Sequence, residues 1–246
     1  MNIILIGTLA SLIAGSATIL GAFLVFFLKK ASDKFLDAFL GFAAGVMLSA
    51  TFFGLISPAI KIGGIQRTAL GIFLGMLFLI FLERIIPHMH RVAGIKGPLT
   101  HLGKLTLFIL AVTIHNFPEG LTVGVGFAGG VSAGVILAVG IGIQNIVEGL
   151  IVALPLFKEK KEIMKAFLIA SFTCIVEPVG GFLGASIVSL GKFLIPYALA
   201  FAAGAMLFVI SEEILPETHS RGNTREATIG LIFGFIFMMA LEHIFV

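Results

Sequence analysis

The chain of 246 residues has no tryptophan, one tyrosine and one cysteine, and only 12% of its residues are charged. Each shortage excludes something. The lone Cys174 rules out a disulfide framework and a thiolate metal cage. Without Trp, an interfacial aromatic belt has to be built from Phe. No G-x4-G-K-S/T string occurs, so ATP hydrolysis by this chain is not expected. The first basic residue is Lys29, so no basic segment precedes the first apolar run, and Ile3–Leu28 reads as a span and not as a secretory signal. The shortage of charge is matched by 59% hydrophobic residues and a mean hydropathy of +1.15. No soluble domain of this size offers water so little polar surface, and the chain reads as an all-α membrane protein. The net charge of +3 does not point to nucleic acid, because the basic residues lie between the apolar runs.

What is there is a series of eight apolar runs, each near the ~20 residues that cross a bilayer. They fall at about Ile3–Leu28, Phe35–Ile60, Thr68–Ile86, Leu105–Phe127, Val131–Leu156, Lys165–Leu190, Phe193–Leu215 and Ala227–Val246. The basic residues sort to one side. The loops after runs 1, 3, 5 and 7 hold Lys29, Lys30, Lys34, Arg84, Arg91, Lys96, Lys104, Lys158, Lys160, Lys161, Lys165, Arg221 and Arg225, against Lys61, Arg67 and Lys192 opposite. The richer side is the cytoplasmic one by the positive-inside rule, which puts both termini outside.

The chain also matches itself at an offset of 159. Gly21-Ala22-Phe23-Leu24 meets Gly180-Gly181-Phe182-Leu183, and Phe42-Ala43-Ala44-Gly45-Val46-Met47-Leu48 meets Phe201-Ala202-Ala203-Gly204-Ala205-Met206-Leu207. Gly71, Gly75, Phe78, Leu82 and Glu83 meet Gly230, Gly234, Phe237, Leu241 and Glu242. Five crossings separate the two copies, so the second is inverted. The expected architecture is one transmembrane domain over residues 1–246 in a 3+2+3 arrangement: repeat one 1–86, a central helix pair 105–156, and repeat two 163–246. Inverted repeats with a polar site near the midplane are characteristic of transporters.

The central pair carries two near-copies, His115-Asn116-Phe117-Pro118-Glu119-Gly120-Leu121 and Gln144-Asn145-Ile146-Val147-Glu148-Gly149-Leu150. A carboxylate at membrane depth costs roughly 2.5–3.5 kcal/mol on insertion scales. Residues four apart share a helix face, so His115 pairs with Glu119 and Gln144 with Glu148; Asn116 and Asn145, three before each Glu, widen the stripes. Imidazole and carboxylate side by side are ligands for first-row divalent metals, with amide oxygens as weaker neutral partners. Pro118 cannot donate to the Ile114 carbonyl, so a bend is expected beside the site. A hydrogen-bonded seam between helices is the competing reading, although two glutamates with only His115 as a cation do not suit it. An intramembrane zinc-dependent hydrolase is another reading, and a purely structural bundle a third. Glu177, before Pro178 in run 6, and Glu212 and Glu213, near the cytoplasmic end of run 7, are further candidates. Glu83 and Glu242 read as interfacial, and His88, His90 and His101 as members of a passive loop.

The His-Asn-Phe-Pro-Glu-Gly string, its partner on run 5 and the E-x-L-P-E-like end of run 7 resemble the ZIP (Zrt/Irt-like) metal transporters, with the bacterial GufA-like branch nearest. The resemblance covers essentially the whole chain. It implies two adjoining metal sites, one of His115, Glu119, Glu148 and Gln144, the other of Asn116, Asn145 and a run 7 glutamate, Glu213 before Glu212. Glu119 and Glu148 bridge them, and Glu177 matches an acid near an additional site in some members. Gln144 stands where many relatives have His, Asn145 where some have Asp, and Val147 in place of the usual Pro. The implied activity is uptake of divalent metal ions across the cell membrane into the cytoplasm, zinc first, with iron, manganese and cadmium as alternatives. No prosthetic group is implied; the expected partners are the cations, the bilayer and a second copy in a homodimer.

Overall fold

The computed structural model describes residues 2–90 and 94–245. Arg91, counted on the basic side, and Val246, given as the end of the last run, lie outside them. The chain is helical nearly throughout. Helix α1 (Ile3–Phe23) begins at Asn2, whose side chain accepts from Ile4 N at 3.1 Å, satisfying a donor that the first turn leaves open. Ser32 caps α2 (Asp33–Ser49) in the same way. A π-helical stretch, Ala50–Ile56, carries α2 directly into α3 (Ser57–Ile85). After a short antiparallel hairpin, β1 (His88–His90) and β2 (Gly94–Lys96), come α4 (Lys104–Gly126) and α5 (Val131–Lys160). Helices α6 (Ile163–Phe172) and α7 (Glu177–Leu190) are joined by a 3-10 turn. Helix α8 (Ile195–Val209) continues through a π-helical Ile210–Ile214 into α9 (Leu215–His219), and α10 (Thr224–Phe245) follows.

Among the described residues, seven helical runs are long and apolar enough to cross a membrane. One of them, Asp33–Ile85, has 53 residues and at 1.5 Å per residue would extend for about 80 Å, far beyond a ~30 Å hydrocarbon core. It is broken at Gly64, whose φ of 75° only glycine adopts easily. The polarity is that of a protein in lipid: Leu9, Ile13, Phe172, Phe182, Ile232 and Phe233 face outward, while Asp37, Gln144, Asn145 and Glu119 are buried.

Two groups of helices pack most closely. Helix α2 lies along α10 and α3 along α8; α1 lies along α5 and α7, and α7 along α4. These pairings exchange under the 159-residue offset, and so do the close approaches within them. Gly45 sits so close to the Leu231 carbonyl that a Cβ would overlap it, and Gly204 stands in the same relation to the Ile72 carbonyl, each number shifted by 159. Gly21 approaches Ile146 O as Gly180 approaches Phe117 O, the second pair related by 29 on α4 and α5. Both repeats also interrupt their middle helix with a π-helical stretch, at Ala50–Ile56 and Ile210–Ile214.

Helix α4 carries Pro118 within it and continues to Gly126. Two expectations change. The segment around His88 is not a plain loop: it folds as a hairpin, His88 is buried, and its Nδ1 lies 2.7 Å from Ile86 O. Glu83 and Glu242 are not simply interfacial. Glu83 is buried against the hairpin, and Glu242 buries one carboxylate oxygen in the protein. At the last turn of a helix in a bundle the inward face is protein, so a carboxylate there need not reach the headgroups.

Candidate functional site

Helices α4 and α5 bring the two motifs together deep in the molecule. Of His115, Asn116, Glu119, Gln144, Asn145, Glu148, Glu177 and Glu213, none is more than 9% exposed. The contacts form a row. At one end His115 Nδ1 lies 2.8 Å from Glu213 Oε2. Glu148 comes next, with His115 and Glu213 as its charged neighbours. Glu148 and Glu119 lie within hydrogen-bonding reach of each other. Gln144 Nε2 donates to Glu119 Oε1 and, at 3.4 Å, to Glu148 Oε1. At the far end Asn145 Nδ2 donates to both oxygens of Glu177, at 3.1 and 3.0 Å.

The two asparagines are fixed in matching ways. Asn145 Nδ2 donates to Ala14 O at 3.0 Å, and Asn116 Nδ2 donates to Thr173 O at 3.0 Å. Residues 14 and 173 are again 159 apart. Each amide nitrogen is thus held by the backbone of a repeat's first helix. Each amide oxygen is left as an acceptor: among the described residues, no donor reaches buried Asn116 Oδ1 or Asn145 Oδ1, nor Gln144 Oε1 or Glu119 Oε2. A buried oxygen without a donor forfeits about 1–3 kcal/mol of hydration. Four such oxygens lie in this one cluster. The 3-10 turn at Thr173–Val176 has a local cause, because Pro178 carries no N–H for the Cys174 carbonyl. That turn places Glu177 at the start of α7, facing Asn145.

Relative to the grouping that the family resemblance implies, two acids stand elsewhere. Glu213 lies against His115, not beside the asparagines, and Glu177 lies against Asn145. Glu212 is exposed and bonds to Lys96 at 3.2 Å. Among the described residues no three His, Cys, Asp or Glu side chains close into a metal cage; Asn116, Gln144 and Asn145 are amides, and the side chains form a row.

A cavity leads from the row toward the basic end of the molecule, lined by His115, Glu148, Glu212, Glu213 and Glu217 among apolar side chains such as Leu40 and Phe108. At its mouth Lys96 Nζ lies 3.1 Å from Glu83 and 3.2 Å from Glu212. Burial by itself would lower the Lys96 pKa, but its bonds to Glu83 and Glu212 outweigh that and raise it above its ordinary value. Lys96 is a residue that sequence reasoning passed over, since nothing local marks it off from the other loop lysines. Thr18, also passed over, stands at the Glu177 position under the 159-residue offset; its Oγ1 is buried without a hydrogen-bond partner among the described residues.

In the direction of the other end, the α5 face that carries Gln144 and Glu148 continues through Ile141 and Leu137, both essentially unexposed. A second cavity begins beyond them. Its lining of Gly54, Ser57, Leu137, Leu199 and Glu242, among others, includes none of the polar row among the described residues.

The sequence is similar to those of known proteins. The sequence profile described as ZIP Zinc transporter matches residues 104–242, which include α4, α5 and both motifs. Zinc transporter GufA of Myxococcus xanthus is 42% identical, over 96% of this chain and 97% of its own length. Zinc transporter ZIPB of Bordetella bronchiseptica is 40% identical over 92% of this chain and 77% of its own. Zinc transporter ZIP11 of Homo sapiens is 31% identical over 92% and 93%. With a profile over more than half of its length and relatives matching nearly end to end, this multi-pass membrane chain belongs to the ZIP zinc transporter family.

Proposed function

We propose that the chain is a secondary transporter that takes zinc into the cytoplasm across the cell membrane through the row between α4 and α5. One observation carries this reading: four buried acceptor oxygens without partners, on the two helices that also present His115, Glu119 and Glu148. Glu213 holds Nδ1 of His115, which orients the ring toward the ion by its other nitrogen, as carboxylates orient ligand histidines. Asn116, Gln144, Asn145 and Glu177 extend the path as oxygen donors. The same set of one imidazole with carboxylate and amide oxygens suits iron and manganese, and cadmium is a further candidate. The relatives' names favour zinc. Family membership weighs against the hydrolase reading.

The break at Gly64 and the exchanged helix pairings support eight spans in a 3+2+3 inverted repeat, with the termini outside and the basic end in the cytoplasm. In that frame the cavity at His115 and Glu148 opens inward, while Leu137 and Ile141 seal the outer path. Transport follows when the bundle of α1, α4, α5 and α7 shifts against that of α2, α3, α8 and α10 and the seal changes sides. The membrane potential supplies about 2.3 kcal/mol per charge per 100 mV, so about 4.6 for a dication, enough for roughly three decades of accumulation without ATP.

Zinc uptake by cells at matched surface expression tests this. Glu119→Ala and Glu148→Ala should each reduce uptake by about 100-fold, in the range for losing a directly bound group. Wild-type rates in both variants would refute the central path.

A further inference from the structure

The inner and outer cavities occupy equivalent places in the two repeats. Leu40 and Phe108 line the inner one; Leu199 and Leu137, offset by 159 and 29, line the outer one. The acids differ. At the inner end Glu212, Glu213 and Glu217 line the wall, and their equivalents outside are Phe53, Gly54 and Pro58. The outer wall has one carboxylate, Glu242, brought from the end of α10. Its inner equivalent, Glu83, is neutralised by Lys96 at 3.1 Å. Glu242 has no such partner: its Oε1 is buried and unbonded among the described residues. Lys61 also lines the cavity, but it is exposed and makes no ion pair with Glu242 among the described contacts.

The space for this carboxylate comes from Gly54. A Cβ there would fall 2.8 Å from Glu242 Oε1 and 2.5 Å from the Leu137 side chain. Gly54 therefore lets the carboxylate lie next to the residue that seals the outer path. The Ser57 hydroxyl is one helical turn further along the same wall. A carboxylate without an ion-pair partner gives a divalent cation an oxygen ligand once the carboxyl sheds its proton.

We propose that Glu242 is the outer capture site for the transported divalent cation, holding it against the Leu137 seal before it reaches the central row. The inference rests on the transport reading above for its direction. The ion binds through the Glu242 carboxylate, with the Ser57 hydroxyl as an adjacent oxygen, and keeps water on its remaining positions.

The experiment is zinc uptake as a function of external zinc concentration. Glu242→Gln should raise KM roughly tenfold with a maximal rate within about twofold of wild type, the pattern of a lost capture step. An unchanged KM, or a lower maximal rate at unchanged KM, would overturn the proposal. A second measurement does not depend on that variant reaching the membrane. In Ser57→Cys with Cys174→Ser, a membrane-impermeant thiol reagent applied from outside should label the new cysteine, and zinc should slow the labelling several-fold. Labelling that zinc does not slow would also overturn it. The two readings fail separately. Loss of uptake in Glu119→Ala with a normal KM in Glu242→Gln refutes only the capture site, whereas wild-type uptake in Glu119→Ala and Glu148→Ala refutes the central path.

Discussion

The two ends of the molecule share a skeleton and differ in chemistry. At both, a glycine brings a helix against a neighbour's carbonyl, a π-helical stretch interrupts the second helix of the repeat, and a cavity opens beside α4 and α5. Only the inner end is heavily charged. There Asp37 is fully buried, paired with Arg221 and bonded by Asn223 Nδ2 at 2.9 Å, with Arg221 also reaching Glu217 at 3.0 Å. The equivalent of Asp37 at the outer end is Pro196, which packs on Gly63. Backbone packing is intolerant of change in either copy, because a single Cβ at these approaches collides with main chain. Charges can be added to one copy without altering the helix skeleton. The 159-residue correspondence thus extends to the helix frame, and the difference between the two ends is written in side chains.

That comparison can be broken at three points. The largest effect is expected at the inner clasp: Arg221→Ala leaves Asp37 buried and unpaired, which costs about 3–5 kcal/mol. Thermal unfolding in detergent should show the loss, and Asp37→Asn in the same chain should recover part of it. If Arg221→Ala unfolds like wild type, the inner charges are decoration and the two ends are mechanically alike. Next comes the seal. Leu137 and its counterpart Phe108 both line cavities, but Leu137 is 1% exposed, whereas Phe108 is only partly buried. Leu137→Ala should cost about 2–5 kcal/mol and admit external thiol reagents to a cysteine placed at Ile141. Phe108→Ala should cost less and leave the outer path closed. Equal effects would mean that neither end is sealed more tightly.

The smallest effect is expected at the inner mouth. Lys96→Gln removes the cation between Glu83 and Glu212 and should change zinc uptake by no more than about threefold, because the bridge lies at the cavity mouth, away from the row, and its Glu212 arm is exposed. The pH dependence follows from the sign of the Lys96 shift. A raised pKa means that the clasp's contribution is complete below the free lysine value of 10.5 and disappears only as pH rises through the higher folded value. Uptake between pH 6 and 8 should therefore show no step attributable to Lys96, and its pH profile should be the same in Lys96→Gln.

Much of the frame was legible in the sequence. The 159-residue offset anticipated the exchanged helix pairings, and the polar cluster Lys61–Arg67 marked the place where Gly64 breaks the long helix. The four-residue spacing of His115 with Glu119 and of Gln144 with Glu148 put the right faces together. What could not be read was which acid meets which partner. Glu213 and His115 are 98 positions apart, and Glu177 and Asn145 are 32 apart. Such meetings depend on the rotation of one helix against another, set by the glycine approaches. The hairpin and Lys96 were missed because a three-residue strand has too few positions for a period to show.

The fastening of Asn116 to the Thr173 carbonyl and of Asn145 to the Ala14 carbonyl has a mechanical corollary. The nitrogens of these amides are riveted to the opening helix of each repeat. On the path proposed above, cargo held by their oxygens would pull on α1 and on the α6–α7 corner. Those helices would then travel with the ion as one carriage, with slippage confined to the seam with α2, α3, α8 and α10.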